Sequence, residues 1–599
     1  MKTAAQGMAA TSTERAGVTA LRLPEGVPAE LAGYVAARVI SADDVAATAM
    51  LVDMARRDVP GLAPSTWAWL AMCLAIRAPR DGHTCVHLAD IRPATESAPG
   101  SEDDALEWPS SAETWIAALE SAGRLVGRPE SRAPFVLDAA RLYLARSLHE
   151  EQAIAAKLVG PTAANVEILL GGPGTGKTTR VATRLIALFR ENPDAAISLA
   201  APTGKAAARM AEALRARLHD ENAPPEVRDA PQEARDAVAK VRPLTIHKLL
   251  GYHPLGTPRY KSGGTNRLSA GLVIVDEASM LSSALMYRLL DALGAETRLL
   301  LVGDPDQLAS VDAGTVLGDI ATAAIPPGSR LADRTDRLTI RHRFGPRIGA
   351  LADAILAGDD AGVAGAFDLL EGRGTFLPDP RNTKPDDPQS IRWIQPGTAA
   401  FKELVEEVVA HAQRLRDLTK QGRVQDALAA QKELQVLCAH RAGAAGVAGW
   451  NARVETRLGV AHGAPWYSGR PLMVTRNNPA LDLFNGDMGL VAGSEAHGLR
   501  QLALPMADGP PRLVSVAQLE DVETVHALTI HKSQGSEYGH AVVVLPERAS
   551  RIVTKELLYT GITRASDKVT VVATRDVIEA AIRRPIRRAT GLADRLKRG

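Results

Sequence analysis

Cysteine is nearly absent. Cys73, Cys85 and Cys438 are the only three in 599 residues, too few and too scattered for a disulfide framework or a four-cysteine iron–sulfur cluster. No stretch approaches the ~18 uninterrupted apolar residues of a membrane span, and the first residues, MKTAAQGMAATSTERAG, hold no apolar core of a secretory signal. A cytoplasmic protein outside any membrane is the expectation. An excess of charge is lacking too, since 70 Lys and Arg against 69 Asp and Glu leave a net charge of +1. Bulk charge therefore cannot hold this chain on nucleic acid, and any site for a polyanion must be local.

What is present is ordinary globular material, 46% hydrophobic and 23% charged, long enough for about three or four domains of ~100–200 residues. Residues 1–145 are Ala-rich with apolar positions at helical spacing, as in PAELAGYVAARVISADDVAATAMLVDMA, and predict a helical domain without chemistry of its own. Pro93 to Ser111 reads as an exposed loop within it. His83, Cys85 and His87 alternate along a short run without a fourth ligand nearby, so they read as packing residues and not as a metal site.

From about Leu148 short β-rich runs alternate with helical segments: VEILL, ISLAA, LVIVD and RLLLV. That alternation predicts a parallel α/β sheet over residues 146–334. A Pro/Asp-rich segment, Pro378 to Gln389, reads as a loop, followed by a long charged helix from Ala399 to about Gln435. A second α/β block fills 335–599, with HAVVVL and VTVVAT as its clearest strands. Inside it, residues 469–519 read as a small β-rich insertion with Asn485-Gly486 as a hairpin turn. The basic tail, Arg583 to Arg598, reads as a solvated C-terminal face.

The strongest chemical signal is Gly171-Gly172-Pro173-Gly174-Thr175-Gly176-Lys177-Thr178-Thr179 directly after the run VEILL. Its glycines let backbone N–H groups curl around phosphates, Lys177 would reach the β- and γ-phosphates, and the Thr178 hydroxyl would ligate Mg²⁺. About one hundred residues later LVIV ends in Asp276 and Glu277. Asp276 would hold Mg²⁺ through its water shell, and Glu277 would orient and deprotonate the attacking water. A nucleotide-hydrolysing site is expected.

Three further segments set the class: Gly303-Asp-Pro-Asp-Gln307-Leu, Ala527-Leu-Thr529-Ile-His531-Lys532-Ser-Gln-Gly535-Ser-Glu537, and Leu558-Tyr-Thr-Gly-Ile-Thr-Arg564. With the P-loop, the acid pair, Ala201-Pro202-Thr203-Gly-Lys205, Thr245-Ile-His247 and Leu338-Thr-Ile-Arg-His-Arg343, they resemble the ordered motifs of superfamily 1 helicases, and specifically the RecD branch. The match runs from Gln152 through Ala573. It implies two RecA-like motor domains with ATP and Mg²⁺ as cofactors. It also implies an adenine-reading Gln152, nucleotide contacts from Gly535 and Glu537, and a Gln307 that touches both the γ-phosphate and the neighbouring domain. Arg343 and Arg564 are similar to arginine fingers, which stabilise the charge of the transferring phosphoryl group only when two domains close. Pro202, Thr203, Lys205, His247, Thr529, His531 and Lys532 would line a groove that tracks one DNA strand without reading sequence.

Asp81-Gly-His83-Thr-Cys85-Val-His87-Leu and the stretch from Leu437 to Asn451 also resemble elements of that branch, with Val86 in place of its usual Leu. The resemblance implies a 5′-to-3′ motor acting on single-stranded and duplex-end DNA. It also implies RecB-like and RecC-like partner subunits, with the N-terminal domain docked on the RecC-like one. Within Tyr252 to Ala270, Gly263-Gly264 would turn a hairpin pin whose Arg259, Lys261 and Arg267 face phosphates. No nuclease core is visible. Two other readings stand beside this one, a standalone RecD-like helicase and a nucleotide-binding scaffold subunit. The first would carry Gly-rich helix-hairpin-helix repeats before Gln152, and the second has no use for a full catalytic set.

Overall fold

A two-residue exchange of hydrogen bonds decides where the first long helix begins. The Ser41 hydroxyl accepts from the Asp44 N–H, and the Asp44 carboxylate accepts from the Ser41 N–H in return. The Ala-rich run that reads as continuous in sequence therefore breaks into helices Leu31–Ala36 and Ala42–Asp58. The computed structural model describes residues 23–91, 106–160, 165–252, 262–263, 266–325, 329–373, 387–460, 465–493, 500–506 and 509–598. The chain forms two units, one up to Leu148 and one from His149 onward.

In the first unit, helix Thr66–Arg77 is buried continuously from Ala68 to Ala75, as its uniformly apolar sequence requires. It packs into a core with Trp115 and Phe135. Beside the expected helices lies a four-stranded sheet of β1 (Cys85–His87), β2 (Val126–Gly127), β3 (Phe135–Asp138) and β4 (Arg141–Leu144), in the order β1-β4-β3-β2. Strands this short leave no periodic signal in an Ala-rich sequence. Cys85 is buried on β1, and His87 Nδ1 lies 3.1 Å from the Asp90 carboxylate.

In the second unit, VEILL, ISLAA, LVIVD and RLLLV become β5 (Asn165–Gly171), β6 (Ile197–Ala201), β8 (Leu272–Val275) and β9 (Arg298–Gly303). With β7 (Leu244–Thr245) and β10 (Thr335–Leu338) they form an all-parallel sheet in the order β10-β5-β9-β8-β6-β7. This sheet runs past residue 334, the boundary expected from sequence, to Leu338. A second all-parallel sheet, β11-β20-β19-β12-β18, uses β11 (Ile391–Ile394), β12 (Leu434–Cys438), β18 (Ala527–Thr529), β19 (Tyr538–Val544) and β20 (Ala565–Val572). The charged helix from Ala399 stops at Lys420, well short of Gln435. Gly422 takes φ +77°, a second helix covers Val424–Ala430, and the apolar run LQVLC is free to enter the sheet as β12.

The insertion is a five-stranded antiparallel sheet, β16-β15-β14-β13-β17, built from β13 (Pro471–Val474), β14 (Met488–Ala492), β15 (Gln501–Leu504), β16 (Arg512–Ser515) and β17 (Val522–Thr524). Asn485-Gly486 does not make a two-residue hairpin. Gly486, at φ +96°, donates to the Val474 carbonyl at 2.8 Å and closes the far end of a longer connection between β13 and β14. Residues 253–261 and 264–265 of the expected pin lie outside the described residues, as do residues 93–105 and 378–386 of the two expected loops. Gly263 and Asn266 exchange backbone hydrogen bonds of 2.7 and 3.0 Å, and Arg267 pairs with Asp291 at 3.5 Å. No helix among the described residues is long and apolar enough to cross a membrane.

The basic tail is solvated at Arg583, Arg584, Arg587, Lys597 and Arg598, which are exposed, but the segment that carries them is also docked. After helix Arg575–Arg583 on the second sheet, the chain returns to the first and docks helix Leu592–Arg598, with Leu592 and Leu596 buried in that core. Arg588 donates to the carbonyls of Ser310, Asp312 and Gly314 at 2.5–3.1 Å. The Gly591 N–H donates to the fully buried Glu151 carboxylate at 3.1 Å, and the Thr590 hydroxyl donates to Asp319 at 3.0 Å. Sequence composition records only the charge of this tail; the carbonyls that take up its donors come from a loop nearly three hundred residues away.

Burial of Asp319, opposed by the Thr590 hydrogen bond, raises its carboxyl from 3.8 to about 7. Between those values the folded chain binds more protons than the unfolded one, so this group makes stability fall as pH rises through that window. Asp319→Asn should therefore raise stability above pH 7, by up to about 4 kcal/mol, and flatten the decline between about pH 4 and 7 in urea melts. An unchanged pH profile would remove Asp319 as the cause.

Candidate nucleotide and nucleic-acid site

In a parallel sheet the loops after the strand C-termini converge where chain order reverses. Here β5, β9 and β8 are neighbours, and they deliver the P-loop, Asp304 and the Asp276–Glu277 pair to one end of the first sheet. Helix Lys177–Glu191 starts at Lys177 after Gly176 at φ +88°, which sets Lys177, Thr178 and Thr179 in its first turn. Orphan N–H groups of such a turn suit an anion. The Lys177 ammonium donates to the Gly171 and Gly172 carbonyls at 2.6 and 2.8 Å, and the Thr175 hydroxyl to Gly172 at 2.9 Å. Burial pushes the Lys177 ammonium down, against the pull of Asp304, Glu277 and Asp276.

Asp276 ends a strand whose four residues are all buried. Burial first, and Glu277 next, raise its carboxyl above the usual range, while Lys177 opposes them. Its Oδ1 accepts the Glu277 N–H at 2.9 Å. Glu277 itself sits at φ +52°, a conformation costing ~1–3 kcal/mol for a residue with a side chain. The Asp276 carboxylate after β8 and the Thr178 hydroxyl in the first turn of helix Lys177–Glu191 are hard oxygen donors of the kind that fits Mg²⁺ with a triphosphate.

The α/β half built on the second sheet closes this site. The His342 N–H donates to the Gly174 carbonyl at 2.8 Å, and a Cβ on Gly174, which has φ +75°, would lie 2.2 Å from Arg343 Cβ. Only glycine lets the Arg343 backbone approach the P-loop this closely. Arg343 is ion-paired through Nε with Glu537 Oε1, and burial lowers its guanidinium to about 10. Arg564 is 2% exposed, donating to the Thr560 and Ser536 carbonyls at 3.1 and 3.2 Å. A Cβ on Gly535 would stand 3.9 Å from Glu277 Oε1. Gln307 is buried beside Asp304, its Nε2 donating to Asp304 Oδ2 at 3.0 Å.

Two of the residues expected to contact nucleotide have these protein surroundings. Glu537 is engaged by Arg343 on one oxygen and Arg209 on the other, and Arg209 also donates to the Gly535 carbonyl. Gln152 is half-buried on helix Ala145–Val159, and among the described residues no hydrogen bond joins it to the P-loop. Arg209 escaped sequence reading because it lies mid-helix, in Gly204–Leu218, one turn beyond the motif that ends at Lys205. Asp304 and Tyr559 stood inside quoted motifs, but only the fold reveals that they meet, the Tyr559 hydroxyl donating to Asp304 Oδ2 at 3.1 Å.

The residues expected to contact DNA cluster around the insertion. Pro202 precedes Thr203, which caps helix Gly204–Leu218. Lys205 packs along Gly486, with Nζ 3.7 Å from Met488 Sδ, and burial lowers it to about 8. Phe484 lies against Gly204, where a Cβ would come within 3.0 Å, and under the Lys248 ammonium at 4.5 Å. His247 stacks edge-on against Tyr252 and is pushed towards neutrality by burial. From the second half, the Thr529 hydroxyl accepts the Lys532 N–H at 3.3 Å, Lys532 is ion-paired with Glu523, and burial lowers His531. The three strand-end segments thus share one boundary, the insertion sheet.

Comparison with known proteins agrees with this architecture. Residues 36–143 match the N-terminal domain of the RecBCD enzyme subunit RecD, residues 152–313 an AAA domain and residues 524–572 a UvrD-like helicase C-terminal domain. The chain is 39% identical over 576 residues to RecBCD enzyme subunit RecD of Mycolicibacterium smegmatis, covering 89% of this chain and 94% of that protein. Its counterpart in Mycobacterium tuberculosis is 39% identical over 88% of this chain and 91% of its own length. The ATP-dependent RecD2 DNA helicase of Deinococcus radiodurans is 30% identical over 76% of this chain and 53% of its own length. Among solved structures, Pif1 helicase from Candida albicans aligns with a TM-score of 0.35 at 16% identity, over 72% of this chain and 95% of that one. Length, identity and the matched N-terminal domain together make this chain a member of the RecD family of ATP-dependent DNA helicases.

Proposed function

We propose that this chain is the 5′-to-3′ motor of a three-subunit RecBCD-type complex, a cytoplasmic machine that processes duplex DNA ends beside RecB-like and RecC-like subunits. The observation that carries the motor reading is the seating of Arg343, from the second half, against the P-loop and Glu537, with Arg564 buried beside Ser536 within the electrostatic reach of Glu277. Lys177 would hold the β- and γ-phosphates, and Thr178 and Asp276 would hold Mg²⁺, which would supply charge that offsets that of the phosphates. Glu277 takes the proton of the attacking water, and Gln307 stands beside it. The two guanidinium groups answer the charge that develops on the phosphoryl oxygens. Gly172 to Thr179 cradle the nucleotide through backbone N–H groups, while Gln152, Gly535 and Glu537 border the base and sugar.

Pro202, Thr203, Lys205, His247, Thr529, His531 and Lys532 form the DNA groove in this reading. Because they hang on both sheets, opening and closing of the cleft alternately shortens and lengthens their spacing along a strand. The N-terminal unit is assigned to docking on the RecC-like subunit. Met50 and Met54, on one face of helix Ala42–Asp58, are 62% and 54% exposed, an apolar surface with no role in a motor.

Lys177→Gln should abolish ATP turnover stimulated by single-stranded DNA while circular dichroism stays that of the parent; a wild-type rate would sink the P-loop assignment. Glu277→Gln should still bind a fluorescent ATP analogue yet turn over at least about 10²-fold more slowly, and undiminished turnover would exclude it as the base. Met50→Glu with Met54→Glu should stop co-purification with the RecC-like subunit and leave the chain's own DNA-stimulated ATPase intact. Normal assembly of that variant would place the docking surface elsewhere.

A further inference from the structure

The loop after β9 carries Gln307, yet the residues that hold it come from the other motor half. The Tyr559 hydroxyl donates to Asp304 Oδ2 at 3.1 Å, the Leu308 N–H donates to Thr560 Oγ1 at 3.1 Å, and Gln534 Nε2 donates to the Leu308 carbonyl at 3.0 Å. Asp304 Oδ2 thus receives two donors, Tyr559 across the cleft and Gln307 Nε2 beside it at 3.0 Å. Its Oδ1 accepts the Asp306 N–H at 3.1 Å. All of this is dry: Asp304 and Tyr559 are each 1% exposed and Gln307 is 6% exposed. The Tyr559 hydroxyl also stands over the P-loop, where a Cβ on Gly172 would lie 2.9 Å from it.

A carboxylate only accepts hydrogen bonds, so Asp304 dictates which end of the Gln307 amide faces it. The NH₂ must turn towards Asp304, and the carbonyl oxygen Oε1 must turn away. That oxygen is buried and has no hydrogen-bond partner, a state that costs ~1–3 kcal/mol unless a donor arrives. In a nucleotide-hydrolysing cleft the natural donor is the O–H of the attacking water. Burial, together with the neighbouring Asp304 charge, holds the Tyr559 phenol protonated and able to donate.

We propose that Tyr559 is a positioning residue: through Asp304 it fixes the Gln307 amide with its carbonyl oxygen presented to the attacking water. Tyr559 reaches Asp304 only from the second half, so the amide is held in this orientation only while the cleft is closed. A released Asp304 carboxylate is free to turn to the Lys177 ammonium, which it already attracts, and Gln307 then loses its orienting partner. Closure of the halves thereby switches on water positioning as well as delivery of the guanidinium groups. The proposal rests on the ATPase reading given above.

Tyr559→Phe keeps the ring and removes one O–H. In the full chain, or with a partner motor whose own ATP site has been inactivated, kcat for ATP with saturating single-stranded DNA should fall about tenfold, while KM for ATP changes less than about twofold. Gln307→Ala should lower kcat by at least as much, and adding Tyr559→Phe to it should produce no further loss, because residues acting through one chain are not additive. A tenfold loss that persists in the Gln307→Ala background would overturn the route through Gln307. An unchanged kcat in Tyr559→Phe, or a rise in KM alone, would overturn the positioning role altogether. Retained binding of a fluorescent ATP analogue and an unchanged thermal melt separate these outcomes from misfolding. If the parent chain shows no DNA-stimulated turnover, the ATPase reading itself fails, and that result is distinct from all the others.

Discussion

Buried charge governs the cleft. Lys177, Arg343 and Arg564 are drawn from water beside Asp276, Glu277, Asp304 and Glu537, with Arg209 at the edge. Each ion costs several kcal/mol to desolvate, and removing one partner strands another. Such a set is affordable only as a whole, so the two sheets close together or not at all. This all-or-none character is what a motor needs, because hydrolysis can then be tied to one geometry of the halves. Glu537 illustrates the economy, with one carboxylate answering Arg343 of its own half and Arg209 of the other.

Backbone shape permits what charge demands. The Arg343 backbone can lie on the P-loop only because position 174 has no side chain, and Phe484 reaches helix Gly204–Leu218 only because position 204 has none. The same economy holds at Glu277, whose left-handed backbone is tolerated where a packed strand end and the Asp276 carboxylate overdetermine it. Around this centre, the C-terminal tail and the insertion sheet each join the halves by a different chemistry. Arg588 spans the gap with hydrogen bonds to three carbonyls of the loop beyond Gln307, and helix Leu592–Arg598 anchors it in apolar core. The insertion joins through Lys205 and Lys248 of the first half, whose ammonium groups lie on the Met488 sulfur and the Phe484 ring.

By itself, the sequence determined the parts whose signal is local. A glycine-rich turn after a strand, two acids at a strand end and short β runs between helices each obey a rule that operates within a few residues, which is why β5, β6, β8, β9, β19 and β20 were legible. Signals failed where the deciding partner is remote. The helix from Ala399 looked longer than it is because the need of LQVLC for a place between β18 and β19 is not written beside it. The docking of Arg588 within the basic tail was hidden because its acceptors are carbonyls, which composition never displays. Gln152 and Glu537 carried roles by resemblance, and the fold gives Glu537 two arginine partners that no spacing announces. Only tertiary structure could choose Arg209, Asp304 and Tyr559, for one physical reason. A hydrogen bond or ion pair acts over about 3 Å of space whatever the distance along the chain, and these three meet their partners across 255 residues or more.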